Sequence, residues 1–126
     1  SVTILTTEEG LNRKFESLMP SLEEAKKRGI ELRVAAPITQ NNIKVARNLS
    51  KVADVRDTSA KSMKGRFTIV DSKQLMLMLT DDATVHPNYD VGVWISTDYF
   101  AKVMSEIFDS TWAELTPLAK LKFKDS

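Results

Sequence analysis

Hydrophobic residues along the chain switch between a period of two and a helical period, which predicts a layered α/β domain. Val2 to Thr6 is short and rich in β-branched residues, and reads as a strand. Thr7 stands before Glu8 and Glu9, a helix start with acids in the first turn. Leu11, Phe15, Leu18, Leu22 and Ala25 then recur at helical spacing. Pro20 has no amide donor and crowds the preceding turn, so a kink or a restart is expected there. Gly29, after Lys26, Lys27 and Arg28, ends the helix. Ile30 to Ala35 alternates again, with Ile30, Leu32 and Val34 on one face, and Pro37 closes it. Thr39 is the expected cap of a helix that reaches about Val52, with Ile43, Ala46 and Leu49 inward.

Ala53 to Asp57 reads as a weak strand and Thr58 to Met63 as a polar loop. Arg66 to Asp71 and Gln74 to Thr80 flank Ser72-Lys73, a hairpin-length turn. Leu75 to Leu79 is apolar at every position, the pattern of a central strand covered on both faces. Asp81 to Asp90 is a polar loop and Val91 to Ile95 a last strand. Ser96 or Thr97 caps a final helix with a wide apolar stripe through Tyr99, Phe100, Val103, Met104, Ile107, Phe108, Trp112 and Leu115. Part of that stripe, Phe108 or Trp112, is expected either to complete the core or to face a partner. Pro117 stops the helix, and Ala119 to Ser126 is a basic tail. The expected order is β-α-β-α-β-β-β-α, in a mixed, mainly parallel sheet with helices on both faces.

A length of 126 residues with 42% hydrophobic and 28% charged side chains suits one domain, residues 1–126, with its own core. The absence of cysteine excludes a disulfide framework, thiolate catalysis and cysteine metal sites. A single histidine, His86, excludes any site that takes two from one chain. The longest apolar run is far short of the ~20 residues that span a membrane, and no signal segment opens the chain. A cytoplasmic protein is therefore expected. The sequence opens on Ser1 rather than Met, and an excised piece of a longer protein is expected. The net charge of +1 hides an asymmetry. Residues 44–66 carry Lys44, Arg47, Lys51, Arg56, Lys61, Lys64 and Arg66 against Asp54 and Asp57, whereas residues 81–114 carry seven acids against Lys102. The two segments can pair within one chain or across a dimer.

Candidate chemistry is sparse. Lys64, Arg66 and Thr68 alternate, so in a strand they share one face. Two cations and a hydroxyl there make a site for an oxyanion or phosphate, or else a basic sheet edge. Asp71 falls on the opposite parity and is expected in a turn. Asp81, Asp82, His86 and Asp90 crowd one loop at a spacing that fits no metal pattern, so a structural turn or site rim is expected. No glycine-rich phosphate loop or nucleophile elbow is present, and no cofactor is expected.

The run Lys64-Gly65-Arg66-Phe67-Thr68-Ile69-Val70-Asp71 resembles the phospholipase D superfamily signature, His-x-Lys followed by four residues and Asp. Lys64 stands at the position of the nucleophilic histidine, Arg66 at that of the lysine and Asp71 at that of the aspartate. The Gly-Ser that usually follows is absent. The longer segment from Arg66 to Leu115 is similar to the phospholipase D-like domain of archaeal TrmB-type transcriptional regulators. That resemblance implies a three-layer phospholipase D-like half and a dimeric effector or regulatory domain. It also implies DNA contact only through a winged-helix domain missing from this chain. Lysine cannot form the phosphohistidine and relay the proton at neutral pH, so no catalytic residue is assigned. The expected role is non-enzymatic, with Lys64, Arg66 and Thr68 facing a small anionic or sugar-like effector. The alternative is a phosphodiesterase or nuclease with an altered site.

Overall fold

In the computed structural model, which describes residues 1–61, 63, 65–80, 86, 89 and 91–121, seven strands join one sheet. They are β1 (Val2–Leu5), β2 (Leu32–Ala36), β3 (Asp54–Asp57), β4 (Phe67–Val70), β5 (Gln74–Met78), β6 (Gly92–Ser96) and β7 (Thr116–Pro117). Their spatial order is β6-β5-β4-β1-β2-β3-β7. Helices α1 (Glu8–Lys27) and α2 (Ile43–Leu49) lie on one face and α3 (Asp98–Trp112) on the other. The α/β architecture is the expected one. Four strands separate α2 from α3, one for each of the four segments read as strands there and one more than the expected order counted, and a short seventh strand, β7, follows α3.

The parallel character is smaller than expected. Only β1–β2 and β2–β3 pair parallel; β1–β4, β4–β5, β5–β6 and β3–β7 pair antiparallel. The parallel crossovers through α1 and α2 end at β3; β5 then follows β4 through a tight turn, and α3 carries the chain from β6 at one edge of the sheet to β7 at the other. The hairpin between β4 and β5 turns at Asp71 and Ser72, with φ of 52° and 55°, rather than at Ser72-Lys73. Positive φ at both central residues matches the right-handed strand twist, and Lys73 N–H donates to the Val70 carbonyl at 3.0 Å.

Local signals explain most helix ends. Thr7 Oγ1 accepts from Gly10 N–H at 3.0 Å and starts α1. Helix α1 runs through Pro20 without restarting. Gly29, at φ 80°, provides the left-handed exit. Helix α2 is shorter than expected and Thr39 does not cap it. Asn42 instead staples the preceding turn: Oδ1 accepts from Thr39 N–H and Nδ2 donates to the Pro37 carbonyl. That turn holds residues 39–42 out of the helix. Thr97, not Ser96, caps α3, accepting from Phe100 N–H at 3.3 Å.

The core has two sides. Leu11, Phe15, Val34, Ile43, Leu49 and Val55 pack between the sheet and α1 and α2. Leu5, Ala35, Phe108, Trp112 and Leu115 pack under α3. Phe108 and Trp112 are therefore core residues, and the outward members of the stripe are Tyr99 (80% exposed), Ile107 (58%) and Phe100 (39%). Strand β5 is only partly covered on the face away from α3. Leu75 is fully buried with Ile69 and Ala101, whereas Met76 and Met78 on the other face stay half-buried. The basic and acidic segments meet within the chain, where Lys61 Nζ lies 3.1 Å from Glu114. Among the described residues, no helix is long and apolar enough to cross a membrane. Residues 122–126 of the basic tail lie outside the described residues.

Glu8 ties the start of α1 to the turn after β2. Its carboxylate accepts from Thr39 Oγ1 at 2.6 Å and from Asn41 Nδ2 at 3.0 Å. The Thr39 bond first, and the Asn41 bond second, hold its pKa below the ordinary glutamate value. A carboxylate with a lowered folded pKa contributes stability above its unfolded pKa and loses it as pH falls through the folded pKa. Glu8→Ala should therefore lower the melting temperature at neutral pH. The difference from the parent should narrow as pH falls through the lowered pKa that Glu8 has in the folded chain, where the parent loses this charge as well. Thermal melts across that range check it.

Candidate functional site

Strand β4 runs antiparallel to β1, and its first residue Phe67 stands opposite Leu5, the last of β1. Arg66 therefore enters the sheet beside the carboxyl end of β1, where the chain turns into α1. Ligands of open α/β sheets bind outside the carboxyl ends of the parallel strands, so the location suits a site. Thr68 lies two residues on and faces the same side as Arg66. Both line a hollow of about 100 Å3 with Ile4, Phe15, Leu18 and Met76, and Lys14 stands on its rim wall from α1. The hollow is mostly apolar, with Arg66 and Lys14 as the cationic side chains of its lining.

Arg66 is not a surface cation. It is 6% exposed, and its Nη2 donates to the Thr80 carbonyl at 2.6 Å. Its own carbonyl accepts from Met78 N–H at 3.0 Å. The guanidinium thus ties the entrance of β4 to the exit of β5. Lys64, the third member of the expected set, lies outside the described residues, as do Asp81, Asp82 and Asp90. The structure brings Arg66 and Thr68 together.

Asp71 sits in the turn, as its parity suggested, and the whole of β4 separates it from Arg66. Its carboxylate accepts from the amino-terminal ammonium of Ser1, which holds its pKa low first by that bond and then by charge. His86 packs edge-on against Tyr89 at 6.1 Å between ring centroids, and its carbonyl accepts from Tyr89 N–H. Among the described residues, no group of three or more histidine, aspartate or glutamate side chains can hold a metal ion.

A second, polar cleft lies on the α3 face, with a volume of about 280 Å3. Arg33 on β2 donates through Nη2 to Asp109 at 2.7 Å and through Nε to Thr3 Oγ1 at 3.1 Å. Ser72 and Ser105 hydroxyls meet at 3.0 Å across the same cleft. The Arg33 guanidinium also lies over the Trp112 ring, 5.2 Å from its centroid. These contacts clamp α3 onto the sheet. Arg33 and Asp109 are 76 residues apart in sequence, and only the alternation of β2 hinted that Arg33 faces away from Val34.

No protein-family model matches the sequence, and no curated protein matches it. Solved structures do. The chain superposes on TrmBL2, an archaeal chromatin protein described as showing a novel mode of DNA binding, with a TM-score of 0.65 and 19% identity. The match covers 90% of this chain and 44% of that one, so the chain spans less than half the length of that neighbour. It also superposes on Nuc from Salmonella typhimurium, a phospholipase D family member, with a TM-score of 0.71 and 16% identity. That match covers 92% of this chain and 80% of Nuc. The fold is thus phospholipase D-like, and both neighbours agree with the resemblance carried by the β4 segment.

The bond from Arg66 to Thr80 has a measurable consequence. A buried hydrogen bond from a charged donor contributes about 1.5–3 kcal/mol. Arg66→Ala should lower the unfolding free energy in urea by about 2 kcal/mol. Removal of a solvated edge cation would instead leave stability within about 0.5 kcal/mol.

Proposed function

We propose that this chain is the non-enzymatic, phospholipase D-like regulatory domain of an archaeal TrmB-type transcriptional regulator, acting by effector sensing, by self-association or by both. The observation that carries this reading is the residue at the nucleophile position. Lys64 stands where the superfamily signature has histidine. An ordinary lysine titrates near 10.4, stays protonated at neutral pH and cannot serve in turn as nucleophile and proton relay. The burial of Arg66 supports the same reading, because its guanidinium is engaged by the Thr80 carbonyl at the place of the signature lysine. DNA would be reached through a domain outside this chain, which agrees with the share of TrmBL2 that the chain spans. The hollow beside Arg66 and Thr68 is the proposed effector site, with Lys64 contributing to its positive potential and a small anionic or sugar-like molecule as ligand. A soluble, cytoplasmic homodimer fits this role.

A second reading rests on Nuc, whose length this fold covers more fully. On that reading the chain is a phosphodiesterase or nuclease with an altered site. A chromogenic phosphodiester offered to the purified chain separates the two. The regulatory role predicts no turnover above background, and turnover that disappears in Lys64→Ala would establish the enzyme instead.

The effector site has its own test. Phosphate and sulfate titrated against the labelled chain should shift the backbone amides of Arg66 and Thr68 before others, because charge-assisted bonds to such anions are among the stronger polar contacts. A spectrum unchanged at millimolar anion would reject the site.

A further inference from the structure

The two edges of the sheet are built differently. Strand β7 is two residues long and ends in Pro117, which has no amide proton to offer a neighbour. Strand β6 is five residues long and, among the described residues, pairs only with β5. Residues 91–97, Val-Gly-Val-Trp-Ile-Ser-Thr, contain no charge and no proline. Proteins that stay monomeric blunt such edges with lysine, proline or a cover, because the open row of backbone groups is a template for another strand. Here the edge carries apolar side chains instead: Trp94 is 56% exposed, and Val91 and Val93 are exposed as well.

We infer that β6 pairs antiparallel with β6 of a second copy of this chain, about a two-fold axis at Trp94, so that one sheet runs through both copies. The inference rests on the self-association half of the proposed function and names its surface. Three features select a second copy as the occupant. The strand reads alike in both directions: Gly92-Val93-Trp94-Ile95-Ser96 places glycine opposite serine, valine opposite isoleucine and tryptophan opposite tryptophan. Cross-strand pairs of β-branched and of aromatic side chains are the stabilising unit of a sheet. Register also sorts these pairs by face. Trp94 stands opposite Met76 on the face that α3 leaves open, and Val93 stands opposite Leu77 on the face that α3 covers. Finally, the Pro117 edge is closed to pairing, so association through β6 stops at two copies instead of growing into a filament. Asp98 opens α3 directly beyond the strand and limits the ladder to these residues.

Sedimentation velocity on the 126-residue chain, from low to high micromolar concentration, should show a dimer. Trp94→Lys adds the missing edge charge at an exposed position, and should yield monomer where the parent is dimeric, with an unchanged circular dichroism spectrum and a melting temperature that no longer rises with protein concentration. The chain has no cysteine, so Trp94→Cys introduces a single thiol. Directly opposed Cβ atoms lie about 5 Å apart, and mild oxidation should link Trp94→Cys into a covalent dimer. Ile107→Cys, equally exposed but off the strand, should not link. A dimer untouched by Trp94→Lys, or equal linking through Ile107→Cys, would overturn this surface and leave the self-association reading standing. A parent that is monomeric throughout would overturn both.

Discussion

Everything in this molecule is organised around β1, the strand at which two pairing modes meet. On one side it pairs parallel with β2 and belongs to the crossover half of the sheet. On the other it pairs antiparallel with β4 and belongs to the meander half. Alternate residues of β1 face different partners: Leu5 packs under α3 and Ile4 against the α1 side. A slip of one residue in the pairing with β4 would turn every β4 side chain to the wrong face. The register Leu5 to Phe67 therefore decides that Ile69 joins the core beneath α3 and that Arg66 and Thr68 share the α1 side.

That constraint also shapes what the site can do. The strand that resembles the phospholipase D signature takes its place in the sheet, yet Arg66 on it holds the structure together. Arg66 joins the entrance of β4 to the exit of β5 through the Thr80 carbonyl. The polar residues on the α3 face behave alike: Arg33, Thr3 and Asp109 bond one another and clamp helix to sheet. A fold retained while its reactive positions change is common, because a scaffold hosts many functions and the chemistry resides in a few side chains. Here the fold is phospholipase D-like, and the proposed regulatory role rests on Lys64 at the position of the signature histidine and on the engagement of Arg66 by the Thr80 carbonyl.

Much of this was legible in the sequence where the determinant is local. Thr7 as a cap, Gly29 as an exit and the apolar period of α1 all act within one helical turn. The strand alternation of Arg66 and Thr68 predicted their common face. What escaped depends on distant partners. The turn after β4 signalled the antiparallel β4–β5 hairpin, but the partners of β6 and β7 are set by which edge each strand reaches, and no local pattern encodes them. The shortening of α2 comes from the Asn42 bonds to Thr39 and Pro37, a turn that outcompetes the nominal Thr39 cap. The apolar run of β5 read as doubly covered, but the helices on the α1 side leave Met76 and Met78 half-buried. Residue spacing gave Lys64 and Arg66 equal standing as cations, and only the fold shows Arg66 withdrawn into the interior.

The most direct test of the idea that Arg66 is committed to the fold is to restore the histidine of the signature while Arg66 stays at the position of its lysine. Lys64→His recreates the histidine of the superfamily signature while leaving Arg66 on the Thr80 carbonyl. If the guanidinium is engaged as the structure has it, the variant fails to turn over a chromogenic phosphodiester despite its histidine. Measurable turnover by Lys64→His would contradict this, because it would mean that Arg66 is available to the chemistry rather than held by the Thr80 carbonyl.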